Sequence, residues 1–330
     1  MKTLTVICPV YNEEEVIGFF YRELKAVLST LASRYTSTML FVVDRGTDRT
    51  LDLLRDIAAQ DQAVRVLALT ARFGHQHALV AGMDHSDTDV VVMMDSDLQH
   101  PPEVLPQLLD AYETGYDIVY TFREDTNEIA LIKRLTSRLF YRLLNAMSPM
   151  PISESAADFR LLSRRVVRVF QTQIRERNLF LRGLVGWVGF RSIGITFRVR
   201  QRRAGTSKYF VRRMVRFGID GIVSFSKKPL QAATLVGLCF ALFGGMVALA
   251  TLVQYFYLSS LPSGWTTLTI LISMFSGIQL IFLGIIGEYI GAIFDEVKRR
   301  PHYVVDETIN FSSAAGAAGL PASVQHATVR

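Results

Sequence analysis

Asp, Glu, Lys and Arg make up 20% of the 330 residues, yet none of them lies between Pro229 and Gly287. A charge-free stretch of that length does not read as the core of a soluble domain. It holds two apolar runs, at about 230–257 and 264–287, each long enough for the roughly 20 residues that cross a hydrocarbon layer. Leu258-Ser-Ser-Leu-Pro-Ser-Gly264 between them reads as a turn, so the pair is expected to form a helical hairpin. Cysteine is nearly absent as well: Cys8 falls in an early apolar run and Cys239 in the first span, which excludes a disulfide framework. No Gly-x-Gly-x-x-Gly follows the first expected strand, where Pro9-Val-Tyr-Asn-Glu13 stands instead, and this excludes the usual dinucleotide fingerprint of dehydrogenases. His75, His77 and His100 lack a third partner at zinc-ligand spacing.

The charge that is present is unevenly placed. The net charge is +6, and the basic residues crowd into 133–142, 160–168, 175–182, 188–203 and 208–216. An anionic membrane surface or lipid headgroup is therefore a nearer partner than nucleic acid, which is not expected to bind. Lys227 and Lys228 precede the first span, Lys298, Arg299 and Arg300 follow the second, and the loop between carries no charge. The positive-inside rule then places both flanks, the soluble part and both termini in the cytoplasm, as an integral protein of the cell (inner) membrane. The opening apolar run is short and gives way to Glu13-Glu14-Glu15, so it reads as a strand and not as an export signal.

The remaining chain alternates β-branched runs with helical patterns, which predicts an α/β fold with a mostly parallel sheet. Strands are expected at 4–10, 39–43, 64–69, 90–94, 117–122 and 193–199, and helices at 13–33, 47–60, 76–85, 103–113 and 163–173. Residues 129–148 read as a basic amphipathic helix, with Leu131, Leu135, Leu139, Leu143 and Met147 at helical spacing and Lys133, Arg134, Arg138 and Arg142 on other faces. A second amphipathic segment, 208–226, leads into the first span. Either could lie on a membrane surface or pack on the soluble domain. The resulting organisation is a catalytic domain at 1–205, a juxtamembrane segment at 206–228, the hairpin within 229–300, and a tail at 301–330. That tail is small and low in complexity after Asn310, so its end is expected to be disordered.

The strongest chemical signal is Val90-Val-Val-Met-Met-Asp95-Ser-Asp97-Leu-Gln-His-Pro-Pro102, an apolar strand ending in two acids and a proline-closed turn. Open α/β sheets bind ligands at the carboxyl ends of strands. Two acids separated by one residue suit a hard divalent cation that takes oxygen ligands and bridges phosphates. The first strand ends in Pro9-Val-Tyr-Asn-Glu13 and the second in Asp44-Arg-Gly-Thr-Asp48, so three strands deliver polar groups to one edge.

Together with Phe73-Gly-His-Gln76, Asp158-Phe-Arg-Leu161, Phe180-Leu-Arg-Gly183, Gly205-Thr-Ser-Lys-Tyr209 and Gly287-Glu-Tyr-Ile-Gly291, these motifs resemble the family 2 inverting glycosyltransferases. The resemblance is to the polyprenyl-phosphate branch that includes dolichol-phosphate mannosyltransferase and bactoprenol glucosyltransferases, and it spans about residues 3–305. It implies a GT-A (Rossmann-like) domain, and transfer of a hexose-type sugar from a UDP- or GDP-linked donor to a polyprenyl (undecaprenyl or dolichyl) phosphate. By the same resemblance Pro9, Tyr11, Asn12, Glu13, Asp44, Asp95 and Ser96 would bind the nucleotide sugar. Asp95, Asp97 and Gln99 would hold Mg2+ or Mn2+. Asp97 and Asp158 would be catalytic, and Arg123, Arg138, Arg182, Arg202, Ser207 and Lys208 would bind the acceptor phosphate. Homo-oligomers are compatible with the resemblance, though no number is fixed.

The family pattern is not met everywhere. Its usual Asp-Asp-Gly-Ser run is Val43-Asp-Arg-Gly46 here, Ala157 replaces a common Gly, Arg72 stands where Asn is frequent, and Thr126 or Asn127 stands where a second basic residue often follows Arg123. Two other readings stay open at this point. A catalytically inactive membrane scaffold is compatible with Val43 and Ala157. A processive polysaccharide synthase would share the sheet and the acids, although neither Trp187 nor Trp265 follows the Gln-x-x-Arg run such enzymes carry.

Overall fold

The computed structural model describes residues 1–124, 156–177, 179–198, 228–257 and 264–311. In chain order the elements are β1 (Lys2–Val10), α1 (Ile17–Thr30), β2 (Tyr35–Val43), α2 (Thr50–Gln60), β3 (Val64–Leu69), α3 (His75–Asp84), β4 (Val90–Met93), a single 3-10 turn (Pro102–Val104) and α4 (Leu105–Glu113). They continue as β5 (Ile118–Arg123), β6 (Ala156–Ser163), α5 (Arg164–Thr172), α6 (Leu181–Trp187), β7 (Ser192–Phe197), α7 (Lys228–Tyr257), α8 (Trp265–Val297) and β8 (Val305–Ile309). The eight strands form one sheet in the order β7-β5-β6-β4-β1-β2-β3-β8. β1 pairs in parallel with β2 and β4, β2 with β3, and β5 with β7, while β6 and β8 run antiparallel to their neighbours. This is the mixed, largely parallel α/β sheet that the alternating pattern implies.

Period-two alternation explains how the sheet is covered on both faces. Leu4, Val6, Cys8 and Val10 of β1 share one buried cluster with Ile17, Phe20, Leu24 and Leu28 of α1, whose spacing puts them on one helical face. Ile7 faces the other way, into the cluster built by Ala78, Leu79, Ala81 and Met83 of α3 and Val166, Val167 and Phe170 of α5. Helix α3 approaches β1 so closely that a Cβ on Gly82 would lie 2.3 Å from Ile7 Cγ2.

Three elements depart from the sequence expectation. β6 was not expected, because Asp158 and Arg160 interrupt its apolar character, yet it lies in the middle of the sheet between β4 and β5. α6 was not expected either, being only seven residues long. The third departure concerns residues 301–311, expected to begin a tail. They return to the sheet, where β8 pairs with β3 from Val66↔Ile309 to Leu69↔Val305. The sheet therefore includes a strand from beyond the two long helices. Asn310 closes this return by donating from Nδ2 to the carbonyls of Ala58 and Val64, at 2.7 and 2.8 Å.

α7 and α8 are long and apolar enough to cross a membrane. At 30 and 33 residues they reach about 45 and 50 Å, more than a hydrocarbon core of about 30 Å. They pack antiparallel, with Gly237 opposite Phe282 and Gly244 opposite Phe275. Their outer faces are bare: Leu235, Leu242, Leu249, Leu280 and Ile281 are all exposed, which separates them from the buried core helix of a soluble protein. α8 continues ten residues past the expected second span and carries Glu288, Asp295 and Glu296. At its end Glu296 accepts a hydrogen bond from the Arg177 backbone N–H at 2.7 Å, and the Arg177 guanidinium reaches the carbonyls of Arg300 and Pro301. The amphipathic segments 129–148 and 208–226 lie outside the described residues.

The return segment also carries a pH signature. Burial first, and then the charge of Arg175, lower the His302 pKa to about 4. The unfolded imidazole takes up its proton near pH 6.5. Between the two values the unfolded chain binds more protons, so stability is complete above about pH 6.5 and falls as pH drops toward 4. The contribution is up to about 3 kcal/mol. Melting curves at pH 7 and 4.5 should therefore diverge more for the wild type than for His302→Gln.

Candidate active site

The site lies where β1, β2 and β4 end and the antiparallel β6 begins. β4 stops at Met93, and the turn that follows lifts Asp95 to a half-exposed position while Ser96 is buried, its Oγ donating to the Pro9 carbonyl at 3.2 Å. Leu98 takes φ 61°, a left-handed conformation that is strained for a branched side chain. Its side chain is buried, and the Gln99 N–H donates to Asp97 Oδ1 at 3.0 Å, so packing and a hydrogen bond hold the turn. Asp97 and Gln99 are half-buried beside Asp95.

Behind the turn, His100 is fully buried, stacked on Phe159 and edge-on to Phe197. The Asp95 backbone N–H donates to its Nδ1 at 3.2 Å, so Nδ1 is unprotonated and the ring is neutral there. Burial lowers its pKa in agreement, against the opposing pull of Asp95. His100 thus fixes the backbone from which Asp95 projects.

Asp158 projects from β6 into the same space. Arg182, on α6, forks onto it, with Nε to Oδ1 and Nη2 to Oδ2 both at 2.9 Å. The buried Arg160 adds a contact to Oδ1 at 3.0 Å. Burial would raise the Asp158 pKa, but hydrogen bonding to His75 and Arg182 and the charges of Arg182 and Arg160 outweigh it and hold the carboxyl well below the usual range. Such a carboxylate is suited to orienting groups and poorly suited to taking up a proton.

One imidazole joins the two acids. His75 Nε2 lies 3.5 Å from Asp95 Oδ1 and 3.7 Å from Asp158 Oδ2. Carboxylates brought that close repel by about 2 kcal/mol at an effective dielectric near 20, which the surrounding cations offset. Burial would lower the His75 pKa, but the two acids raise it overall. His75 opens α3 directly after Gly74, whose φ of 97° suits glycine.

Asp44, expected among the nucleoside-binding acids, is buried and accepts the N–H groups of Phe73 and Gly74, each at 2.7 Å. In this structure it braces the turn that presents His75. Gln76 ties the same turn to α6 by accepting the Leu181 N–H at 3.1 Å.

The other expected residues fall as follows. Tyr11 is half-buried with the Arg72 guanidinium 3.9 Å from its ring centroid. Asn12 exchanges hydrogen bonds with Thr47, and the Glu13 backbone N–H donates to Thr50. Arg45, one of the departures from the family pattern, donates to the Thr70 carbonyl at 2.9 Å. Arg123 ends β5, and its positive charge is felt at His100. Arg182, expected at the acceptor phosphate, forks onto Asp158 in this structure. Arg138, Arg202, Ser207 and Lys208 lie outside the described residues. Sequence reading missed His75, His100 and Arg160 as site residues. All three sat within quoted motifs, but nothing in their spacing announced their contacts.

The acids fit a divalent cation of the magnesium or manganese type. Asp95 and Asp97 are oxygen donors on one constrained turn. Among the described residues no group of three His, Cys, Asp or Glu side chains could hold a metal. Such an ion would therefore take its remaining ligands from a phosphorylated substrate and water, as these cations commonly do.

Residues 5–170 match the family described as Glycosyl transferase family 2, and the chain belongs to that family as a glycosyltransferase. It is 38% identical over 304 residues to the uncharacterized glycosyltransferase YkcC of Bacillus subtilis (strain 168), covering 92% of this chain and 93% of the relative. It is 36% identical over 309 residues to the SfII prophage-derived bactoprenol glucosyl transferase of Shigella flexneri, covering 92% and 98%. Among solved structures, glucosyl-3-phosphoglycerate synthase from Mycobacterium tuberculosis in complex with Mn2+, UDP-glucose and phosphoglyceric acid covers 67% of this chain and 78% of its own. The identity there is 20% and the TM-score 0.45.

Replacing Asp44 by Ala leaves two backbone N–H groups without their acceptor and should cost about 2 kcal/mol or more. Chemical denaturation checks this. An Asp44 that served only the nucleoside would leave stability unchanged.

Proposed function

We propose that this glycosyltransferase moves a hexose-type sugar from a UDP- or GDP-linked donor onto a polyprenyl phosphate at the cytoplasmic membrane face, with inversion at the anomeric carbon. The observation that carries this reading is the return of the chain to the sheet after α8. The acid cluster and a hairpin able to cross a membrane belong to one folded unit, tied by β8 and by Arg177. The name of the Shigella flexneri relative, a bactoprenol glucosyl transferase that this chain matches almost end to end, supports a lipid-phosphate acceptor.

In the proposed reaction an oxygen of the lipid phosphate bonds to the anomeric carbon as the bond to the nucleoside diphosphate breaks on the opposite face. Asp95 and Asp97 would hold Mg2+ or Mn2+, which supplies neutralising charge to the departing diphosphate. Tyr11, with Arg72 over its ring, offers a flat cationic surface beside the expected nucleoside pocket. A phosphate monoester is already ionised at neutral pH, so its attack needs no strong base. Asp158, kept ionised by Arg182 and Arg160, orients the acceptor, and Arg182 presents a fork matched to phosphate oxygens. Arg123 at the end of β5, together with Arg138, Arg202, Ser207 and Lys208, would complete the cationic side. The segments 129–148 and 206–228 would seat the site at headgroup level.

The reading is tested by incubating the purified full-length protein with a panel of nucleotide sugars, Mg2+ or Mn2+ and undecaprenyl phosphate, and determining the mass of the lipid product. A lipid-phosphate sugar from one donor is expected. Release of nucleoside diphosphate with no lipid product would sink the acceptor assignment. Asp97→Ala should lower transfer by at least about a hundredfold. Lys208→Ala should instead raise the KM for undecaprenyl phosphate about tenfold, equivalent to about 1.4 kcal/mol of lost binding, with kcat changed far less.

A further inference from the structure

We propose that His75 is a positioning residue for the transfer, coupling the donor-side acid Asp95 to the acceptor-side acid Asp158 through one ring nitrogen. The proposal rests on reading Asp95 as a ligand of the divalent cation.

The two contacts of Nε2, 3.5 and 3.7 Å, are longer than a well-formed hydrogen bond. The ring can therefore exchange one partner for another without breaking a tight bond. Its backbone, by contrast, is fixed: Asp44 grips the N–H groups of Phe73 and Gly74, and Gln76 holds the first residue of α6. The next residue of α6 is Arg182, which forks onto Asp158. The ring and the fork thus converge on the same carboxylate from two helices whose starts are bonded to each other.

A cation held by Asp95 would compete with His75 for that carboxylate. The ring is then left with Asp158 as its acidic contact, and Asp158 divides its oxygens between His75 and Arg182. The fork loosens, and the Arg182 guanidinium can turn toward an arriving phosphate. Occupancy on the donor side is in this way felt at the acceptor side. An imidazole that merely filled space would produce no such exchange, and removing it would leave cation binding unchanged.

The test uses full-length protein in lipid nanodiscs as wild type, His75→Ala and His75→Gln. Mn2+ is titrated by electron paramagnetic resonance without nucleotide, and turnover is followed with the donor selected from the nucleotide-sugar panel. For His75→Ala we expect Mn2+ affinity to rise about threefold or more, because Asp95 no longer shares its oxygen, while turnover falls about tenfold or more. His75→Gln, which keeps a donor of similar reach, should fall between, and it supplies the comparison if the alanine variant does not fold. Unchanged or weaker Mn2+ binding in the variants, or turnover within about twofold of wild type, would overturn the proposal. The Mn2+ titration needs neither sugar nor lipid, so it decides the role of His75 even if the lipid acceptor proves wrong. Failure of the wild type to bind Mn2+, with or without UDP or GDP, would refute the cation reading and this proposal with it.

Discussion

Mutual repulsion among Asp95, Asp97 and Asp158 is the constraint around which this part of the molecule is arranged. Acids gathered at one edge of a sheet are tolerable only if opposite charge is fixed nearby before any substrate arrives. The fold supplies it from two elements, Arg182 from α6 and Arg160 from β6 itself, and sets the His75 ring at the start of α3 against Asp95 and Asp158. Burying Arg160 is costly unless it is paired, and Asp158 is its partner. The arrangement does more than cancel charge, because each cation also ties its own element to the acid cluster. α3 and α6 are held to β4 and β6 at the point where the proposed chemistry takes place.

The same arrangement links the site to the hairpin. α3 begins at His75 and ends at Asp84, which accepts a hydrogen bond from Tyr303 at 2.9 Å and from Arg175 at 2.7 Å. Tyr303 belongs to the segment that leaves α8, and Arg175 lies two residues from Arg177, which holds the end of α8. One ten-residue helix, about 15 Å long, thus runs from the acid cluster to the segment anchoring the hairpin.

Much of this was legible in residue order, and the exceptions have physical causes. The parallel core announced itself as apolar runs with β-branched residues, because buried strands need apolar side chains on both faces. The hairpin announced itself by the missing charge. β6 did not, since Asp158 and Arg160 sit in a central strand, where Arg160 is paired with Asp158 and Asp158 in turn meets His75 of α3 and Arg182 of α6. β8 reads Val-Asp-Glu-Thr-Ile and looks like a polar linker; an edge strand with one wet face needs no more apolarity than that. α8 outran the expected span because helical backbone bonding continues after the hydrophobic run ends at Glu288. Within the site, the paired acids were visible from spacing, and the role of Asp44 was not. Whether an acid after a strand faces a ligand or grips a neighbouring loop depends on the path of residues 70–74, which no local pattern specifies.

The position of β8 in the chain has a consequence for how the protein is made. β3 is completed early in synthesis, but the strand that covers its outer edge emerges only after both long helices. Until then the backbone N–H and C=O groups along that edge stand open to pairing with other chains, a known route to aggregation. The finished sheet cannot exist before the hairpin has been made and has turned back on itself. Biogenesis therefore proceeds in a fixed sequence, in which an incompletely built chain lacks the strand that seals its sheet.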